Sequence, residues 1–277
     1  MKTAVITIAH GRHRHLRNQI GGLRRSARPA DAHIVVALGD SGVATVLHRE
    51  RHTAELVDFP ATVPLPLAAA RNAGAQRAIA DRAELLVFLD VDCVPSTRLI
   101  ERYHRAAQQT RHRDALLCGP VTYLPPPGPS GYDLATLDDQ VRPHPARPAP
   151  PGEAIVAGTD YALFWSLSFA VRREVWDRIG GFCEEYQGYG GEDTDFARCA
   201  EANAVPMRWV GGAHAFHQHH PVENPPVRHL ADIVRNAHVF HRRWGAWPMG
   251  GWLEGFAEQG LITRDANGAP RCLIDSH

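Results

Sequence analysis

The apolar positions fall into short continuous runs separated by stretches with helical spacing. Lys2 to Ala9 is rich in β-branched residues and runs into the turn His10–Gly11–Arg12, which predicts a buried first strand. His13 to Arg25 places Leu16, Ile20 and Leu23 on one helical face. Ala32 to Leu38 reads as a second strand ended by Gly39–Asp40–Ser41–Gly42, and Glu55 to Phe59 as a third. The Ala-rich stretch Leu67 to Ala83 predicts a helix carrying Arg71, Asn72 and Gln76. Glu84 to Leu89 (ELLVFL) is a continuous apolar strand that delivers Asp90–Val91–Asp92 at its carboxyl end. A helix over Pro95 to Gln109 and a strand over Ala115 to Tyr123 follow.

Pro125 to Gly152 differs in character, with PPPGP and RPHPARPAPPG and few large apolar residues, and predicts a mobile surface loop. Beyond it the pattern resumes. Strands are expected at Leu163–Val171 and Met207–Val210, and helices at Arg173–Ile179, Asp193–Ala202 and His229–Trp244. The alternation implies an α/β fold, a Rossmann-like doubly wound, mostly parallel sheet with helices on both faces. It divides into residues 1–124, a Pro-rich loop over 125–152, and residues 153–277. Ligands of such sheets lie beyond the carboxyl ends of the strands. His10–Arg12, Asp40 and Asp90–Asp92 all fall there.

Composition narrows the classes. The 277 residues hold 30 Lys plus Arg and 30 Asp plus Glu, a formal charge of zero that argues against a nucleic-acid partner. Apolar residues make up 44%, enough for a real core. Five cysteines without CxxC pairing read as reduced thiols, and no apolar stretch approaches a membrane span. The expected address is the cytoplasm.

Three clusters carry chemistry. Two carboxylates one residue apart on a strand-ending turn suit a hard divalent cation, Mn²⁺ or Mg²⁺, which would neutralise a diphosphate leaving group. Isolated DxD turns are common as solvated acidic loops; position after ELLVFL distinguishes this one. In Gly188–Tyr189–Gly190–Gly191–Glu192–Asp193–Thr194–Asp195, glycines let the backbone approach a ligand and leave Tyr189 free to stack on a sugar. Glu192, Asp193 and Asp195 sit at a helix N-terminus, where one carboxylate is suited to act as general base. In His214–Ala215–Phe216–His217–Gln218–His219–His220, a strand would project His217 and His219 to one face as further metal ligands.

DVDC, the segment SLSFAVRREVWDRIGGFCEEYQGYGGEDTDFARCA and FHQHH together resemble inverting glycosyltransferases of family 2 with the GT-A fold. GYGGEDTD is especially similar to the galactosyltransferase branch. The resemblance implies a UDP-sugar donor, a carbohydrate or other hydroxyl-bearing acceptor, and hexosyl transfer with inversion. It implies Asp92 with His217 or His219 on the metal. His10, Gly11, Arg12, Asp40, Arg71, Asn72, Asp90 and Val91 would border the donor. Asp193 would be the base, with Glu192, Tyr189, Gly190 and Gly191 at the acceptor. Residues 1–124 would then bind the donor and 153–277 the acceptor. The alternatives are a non-catalytic nucleotide-sugar or carbohydrate-binding protein, or a nucleotidyltransferase; zinc hydrolysis is weaker because HExxH spacing is missing. The Trp-rich tail NAHVFHRRWGAWPMGGWLEGFAEQG, residues 236–260, reads first as a packing helix with a glycine turn and otherwise as an acceptor wall.

Overall fold

The computed structural model describes residues 1–273. Eight strands form one mixed sheet: β1 (Thr3–Ala9), β2 (Ala32–Leu38), β3 (Glu55–Phe59), β4 (Leu85–Leu89), β6 (Leu116–Cys118), β8 (Ile155–Gly158), β9 (Ser168–Arg172) and β10 (Met207–Val210), in the order β3-β2-β1-β4-β9-β6-β10-β8. β3, β2, β1 and β4 run parallel; β9 is antiparallel to both of its neighbours. A second sheet joins β5 (Cys93–Pro95), β11 (Ala215–His217) and β7 (Val121–Tyr123) in the order β5-β11-β7. A small ribbon, β12 (Ile262–Arg264) with β13 (Pro270–Cys272), lies near the chain's end.

Strand alternation sorts the core into two faces. Leu86 and Phe88 of β4 join Ile6, Phe169 and Trp209 on one side. There α3 (Leu67–Ala80), α5 (Arg173–Ile179) and α6 (Glu192–Ala202) supply Ala75, Trp176 and Phe196. Phe88 stacks on Phe169 at 4.6 Å and Phe182 on Phe196 at 4.5 Å. Leu85, Val87 and Leu89 point the other way, to α4 (Leu99–Gln108) and Leu23 of α1 (His13–Arg24). Leu16 and Ile20 of α1 pack with Val43, Val46 and Leu47 of α2 (Gly42–Arg49). Alternating burial therefore puts helices on both faces, as the pattern predicts. Two further helices, α7 (Leu230–Trp244) and α8 (Gly250–Glu258), form their own cluster through Ile233, Ala237, Leu253 and Phe256. No helix among the described residues is long and apolar enough to cross a membrane.

Local expectations shift in four places. α2 begins where only a Gly-rich turn was expected. The strand expected over Ala115–Tyr123 breaks at Gly119–Pro120, and its halves enter different sheets. The strand expected to begin at Leu163 begins at Ser168. The Pro-rich stretch is packed rather than loose: Leu124, Leu137, Tyr132 and Leu134 cluster with Val94 and Phe216, and Arg147 is buried. A few large residues suffice because proline-rich backbone has little entropy left to lose.

The core also holds neutral imidazoles. His33 meets His52 Nε2 at 2.8 Å and Thr7 Oγ1 at 3.1 Å, and burial, then the His52 charge, pushes it down to about 3. His214 meets Thr122 Oγ1 at 2.7 Å and is pushed by burial to about 4. Both fold as neutral bases, whereas the unfolded chain protonates them near pH 6.5. Their contribution is complete above about pH 6.5 and drains away as pH falls towards 4. The unfolding free energy from urea titrations should decline over that window by roughly 2–3 kcal/mol for His33 at pH 4. His33→Gln should flatten this limb; an equally steep limb in the variant would show that other groups cause it.

Candidate active site

β4 ends at Leu89, and the chain turns back at once, with Cys93 N–H donating to Asp90 O at 2.8 Å. Val91 is buried in the cluster that holds Leu16 and Ile20 of α1. The flanking carboxylates therefore serve different neighbours. Asp90 Oδ1 accepts from Arg71 Nη2 at 3.1 Å, while Asp92 faces the histidine segment.

Arg71 is the centre of the arrangement. Only 5% exposed on α3, it donates through Nη2 to Asp90 and through Nη1 to Glu192 Oε1, also at 3.1 Å. One guanidinium thus joins the DVD turn to the N-terminus of α6. Burial alone would lower its pKa, but Asp90 and Glu192 more than offset this and hold it well above the ordinary arginine value. Burial, then the Asp193 charge, raises Glu192 to about 7 against the pull of Arg71. Asp193 is raised by burial, and its Oδ1 accepts from Thr194 N–H at 2.7 Å with no arginine partner. Glu192 is therefore committed to Arg71, whereas the Asp193 carboxylate accepts from Thr194 alone among the described residues.

Asp92 has a different environment. His217 Nε2 stands 3.6 Å and His220 Nε2 3.5 Å from its Oδ2. One ligand atom from each of the three residues lies within 4.8 Å of the others. Asp92 Oδ1 is buried and has no hydrogen-bond partner. Burial would raise this carboxyl, yet His220, His217 and Arg12 hold it at about 2. An ionised, orphaned carboxylate oxygen beside two imidazoles fits a divalent cation. His219, expected on the face of His217, is exposed, and its backbone N–H donates to Tyr132 Oη at 3.0 Å. β11 stops at His217, so strand alternation ends there and the following turn brings His220 round instead.

Helix α1 braces both turns. Gln19 Nε2 donates to Asp90 O at 2.8 Å and Cys93 O at 3.1 Å. Gln218 N–H donates to Asp92 O at 2.7 Å, its Oε1 accepts from Asn18 Nδ2 at 2.7 Å, and its Nε2 donates to His15 O at 3.0 Å. No sequence motif marks Gln19 or Gln218, because most of their partners lie far away in the sequence. Groups that orient metal ligands are worth about 10–100-fold in affinity. Gln218→Ala should weaken Mn²⁺ binding by that order in an electron paramagnetic resonance titration; unchanged binding would remove the bracing role.

At the first rim cluster, His10 Nδ1 meets Leu38 O at 2.7 Å and Gly11 N–H donates to Asp40 Oδ2 at 2.7 Å. Asp40 Oδ1 also accepts from Gly42 N–H at 2.9 Å, and His13 Nε2 lies 2.8 Å from Oδ2. These donors outweigh burial and lower the pKa of Asp40. The β1 and β2 ends are thereby clamped into one rim. The Arg12 charge also helps to lower Asp92. Asn72, in contrast, is spent on structure: it exchanges two hydrogen bonds of 2.9 Å with the Phe182 backbone and reaches Glu184 Oε1 at 2.8 Å.

The GYGG loop has positive φ at Gly188 (70°), Gly190 (90°) and Gly191 (94°). A Cβ on Gly188 would lie 2.1 Å from Asp232 Oδ2, so glycine is required there. Helix α7 holds the loop: Asn236 Nδ2 donates to Gly190 O at 2.7 Å and Gln187 O at 3.0 Å, and Asp232 accepts from Tyr189 N–H. The Tyr189 ring is stacked on His229 at 4.5 Å and near Trp252 at 5.6 Å. It is less free to meet a sugar face than the sequence suggests. Its hydroxyl is raised by burial and then by Asp193, Glu192, Asp92 and Asp90 together. Asp195 is fully buried and accepts from Arg243 Nε and Trp244 Nε1 at 2.7 Å each, so the third carboxylate of the motif anchors α7. Part of the Trp-rich tail is therefore packing.

A family model described as "Glycosyltransferase like family 2" matches residues 39–207. None of the curated proteins matches the chain in sequence. Among solved structures, S. aureus TarS 1-349 is 14% identical over 86% of this chain and 65% of its own, with a TM-score of 0.59. GalNAc-T7 with UDP, GalNAc and Mn²⁺ is 13% identical over 79% of this chain and 43% of its own, at 0.54. The mannosyltransferase PcManGT from Pyrobaculum calidifontis, with GDP-Man and Mn²⁺, is 14% identical over 93% of this chain and 64% of its own, at 0.51. The chain thus spans about two thirds or less of each of these proteins. The likeness is one of fold, a GT-A-like α/β architecture.

Proposed function

Because the chain belongs to glycosyltransferase-like family 2, we propose that it moves a hexose from a nucleotide-diphosphate donor, a UDP-sugar by preference, to an acceptor hydroxyl with inversion. The observation that carries this reading is Arg71, which ties Asp90 to Glu192 and so makes the two acidic motifs one site. The similarity of GYGGEDTD to the galactosyltransferase branch supports a hexosyl donor.

In this reading residues 1–124 bind the donor, residues 153–277 carry the acceptor side, and 125–152 lie between. His10, Gly11 and Asp40 border the nucleotide, while Arg12 and Arg71 face the diphosphate. Asp92, His217 and His220 would hold a divalent cation, and two imidazoles favour Mn²⁺ over Mg²⁺. When bound, the ion neutralises charge on the departing diphosphate. Asp193 takes the proton from the acceptor hydroxyl as its oxygen forms the new bond to the anomeric carbon and the bond to the diphosphate breaks. Attack opposite the leaving group inverts the anomeric centre. Glu192, fixed by Arg71, orients the sugar beside the base. A raised Asp193 pKa strengthens it as a base.

Thermal shift against a panel of UDP- and GDP-hexoses, with and without Mn²⁺, tests the donor. A ligand at about 100 times its Kd adds about 2.7 kcal/mol, which raises Tm by roughly 5–10 °C for a chain of this size. The shift should require Mn²⁺. If no nucleotide sugar moves Tm with the ion present, the donor assignment fails. If donor binds but no UDP or GDP is ever released, the chain is a binding protein.

A further inference from the structure

Beyond the donor and the base, a row of rings leads away from the metal-site histidine. Tyr123 closes β7 directly opposite His217 of β11, and their rings lie 4.6 Å apart. The chain then passes through the Pro-rich segment and returns alongside β7, with Arg142 N–H donating to Thr122 Oγ1 and His144 N–H to Val121 O, both at 2.8 Å. This return sets the His144 ring 5.5 Å from Tyr123 and 5.1 Å from Trp165. Tyr123 is 47% exposed, and His144 and Trp165 are each partly open.

Behind the row sits Arg147. It is 4% exposed, its three guanidinium nitrogens have no hydrogen-bond partner, and it lies 5.0 Å from the Trp165 ring and 4.8 Å from that of Trp209. A buried cation without a counter-ion is costly, so the two indole faces are what hold it. The effect is to pin the Pro-rich segment against the sheet and fix His144 and Trp165 in line with Tyr123.

We propose that Tyr123, His144 and Trp165 form an acceptor subsite that takes a pyranose ring of a carbohydrate, face to ring. The inference rests on the transferase reading above, and it gives the Pro-rich segment a specificity role. The chemistry selects a sugar. Each ring offers an apolar face to sugar C–H groups and a polar rim (hydroxyl, imidazole or indole nitrogen) to sugar hydroxyls. An extended peptide would need a free strand edge, yet the outer edge of β7 is occupied by residues 142–144. The Tyr189 ring, 40% exposed, is stacked on His229 near Trp252, and the Tyr123 row adds a second partly exposed aromatic surface beside His217.

Saturation-transfer difference NMR with methyl β-D-glucopyranoside, methyl β-D-galactopyranoside and methyl α-D-mannopyranoside, in the presence of UDP and Mn²⁺, tests this directly. Glycerol and a Ser-containing tripeptide serve as the non-sugar hydroxyl probes. At least one pyranoside should receive saturation on its ring protons, and glycerol and the peptide should not. Trp165→Ala and, separately, His144→Ala should weaken that pyranoside about ten-fold, with UDP·Mn²⁺ affinity within two-fold as evidence of an intact fold. Two variants guard against one that does not fold. Transfer to the peptide or glycerol instead, transfer to no pyranoside, or variants that bind the sugar as tightly as the parent would each overturn the subsite. Failure of the parent to bind UDP·Mn²⁺ at all would instead overturn the transferase reading, and the subsite would fall with it.

Discussion

Asp92→Ala is expected to lower kcat/KM for sugar transfer at least about a thousand-fold, the several kcal/mol that charge neutralisation by a bound cation supplies. The reason lies in how the carboxylate is held. Its Oδ2 is flanked by His217 and His220, and its Oδ1 is buried with nothing to accept from. An unpartnered ionised oxygen does little for the fold, so the substitution should cost function far more than stability. Melting temperature in EDTA should stay within about 3 °C of the parent, the shift of a change of about 1 kcal/mol, whereas stabilisation by Mn²⁺ with donor should vanish. The measurement pairs steady-state kinetics with melts in EDTA and Mn²⁺. Near-parental turnover in the variant would end the metal role of this residue.

Asp193→Asn should reduce kcat by about 10²–10⁴-fold while donor affinity and Mn²⁺ affinity stay close to parental values. Asparagine keeps the volume and can still accept from Thr194 N–H through its amide oxygen, so the α6 terminus has no reason to move. What it lacks is basicity. Glu192 cannot replace it, because Glu192 Oε1 is bonded to Arg71. Isothermal titration with UDP and Mn²⁺, run beside single-turnover kinetics, separates the two quantities. Loss of UDP binding together with kcat would make Asp193 a structural cap rather than a base.

The neighbouring carboxylates show how differently one motif can be used. Of the four acidic side chains at 90, 92, 192 and 193, two are spent on Arg71, one faces imidazoles and one remains open. The Arg71 link means that removing this one side chain would leave the buried Glu192 and the half-buried Asp90 without a partner. Losses of that kind are of the order of 3–5 kcal/mol.

The chain's alternation of apolar runs and helical stretches determined the strands β1 to β4, α3 between β3 and β4, and the delivery of Asp90 and Asp92 at a strand end. These features depend on neighbours within about ten residues, and side-chain periodicity reports such neighbours directly. GYGGEDTD was legible for the same reason, since its glycines and its helix start are local. Tertiary structure decided the rest. Arg71 meets Asp90 across 19 residues and Glu192 across 121, and Gln218 meets Asn18 across 200. His220 rather than His219 stands beside Asp92 because β11 ends at His217, two residues short of His219. Asp195 turns inward to Trp244, and the Pro-rich stretch is seated by Arg147 between two indoles. Each of these depends on which distant group stands opposite, and pairing across the fold is set by packing of the two sheets and α7, of which a linear pattern holds no record.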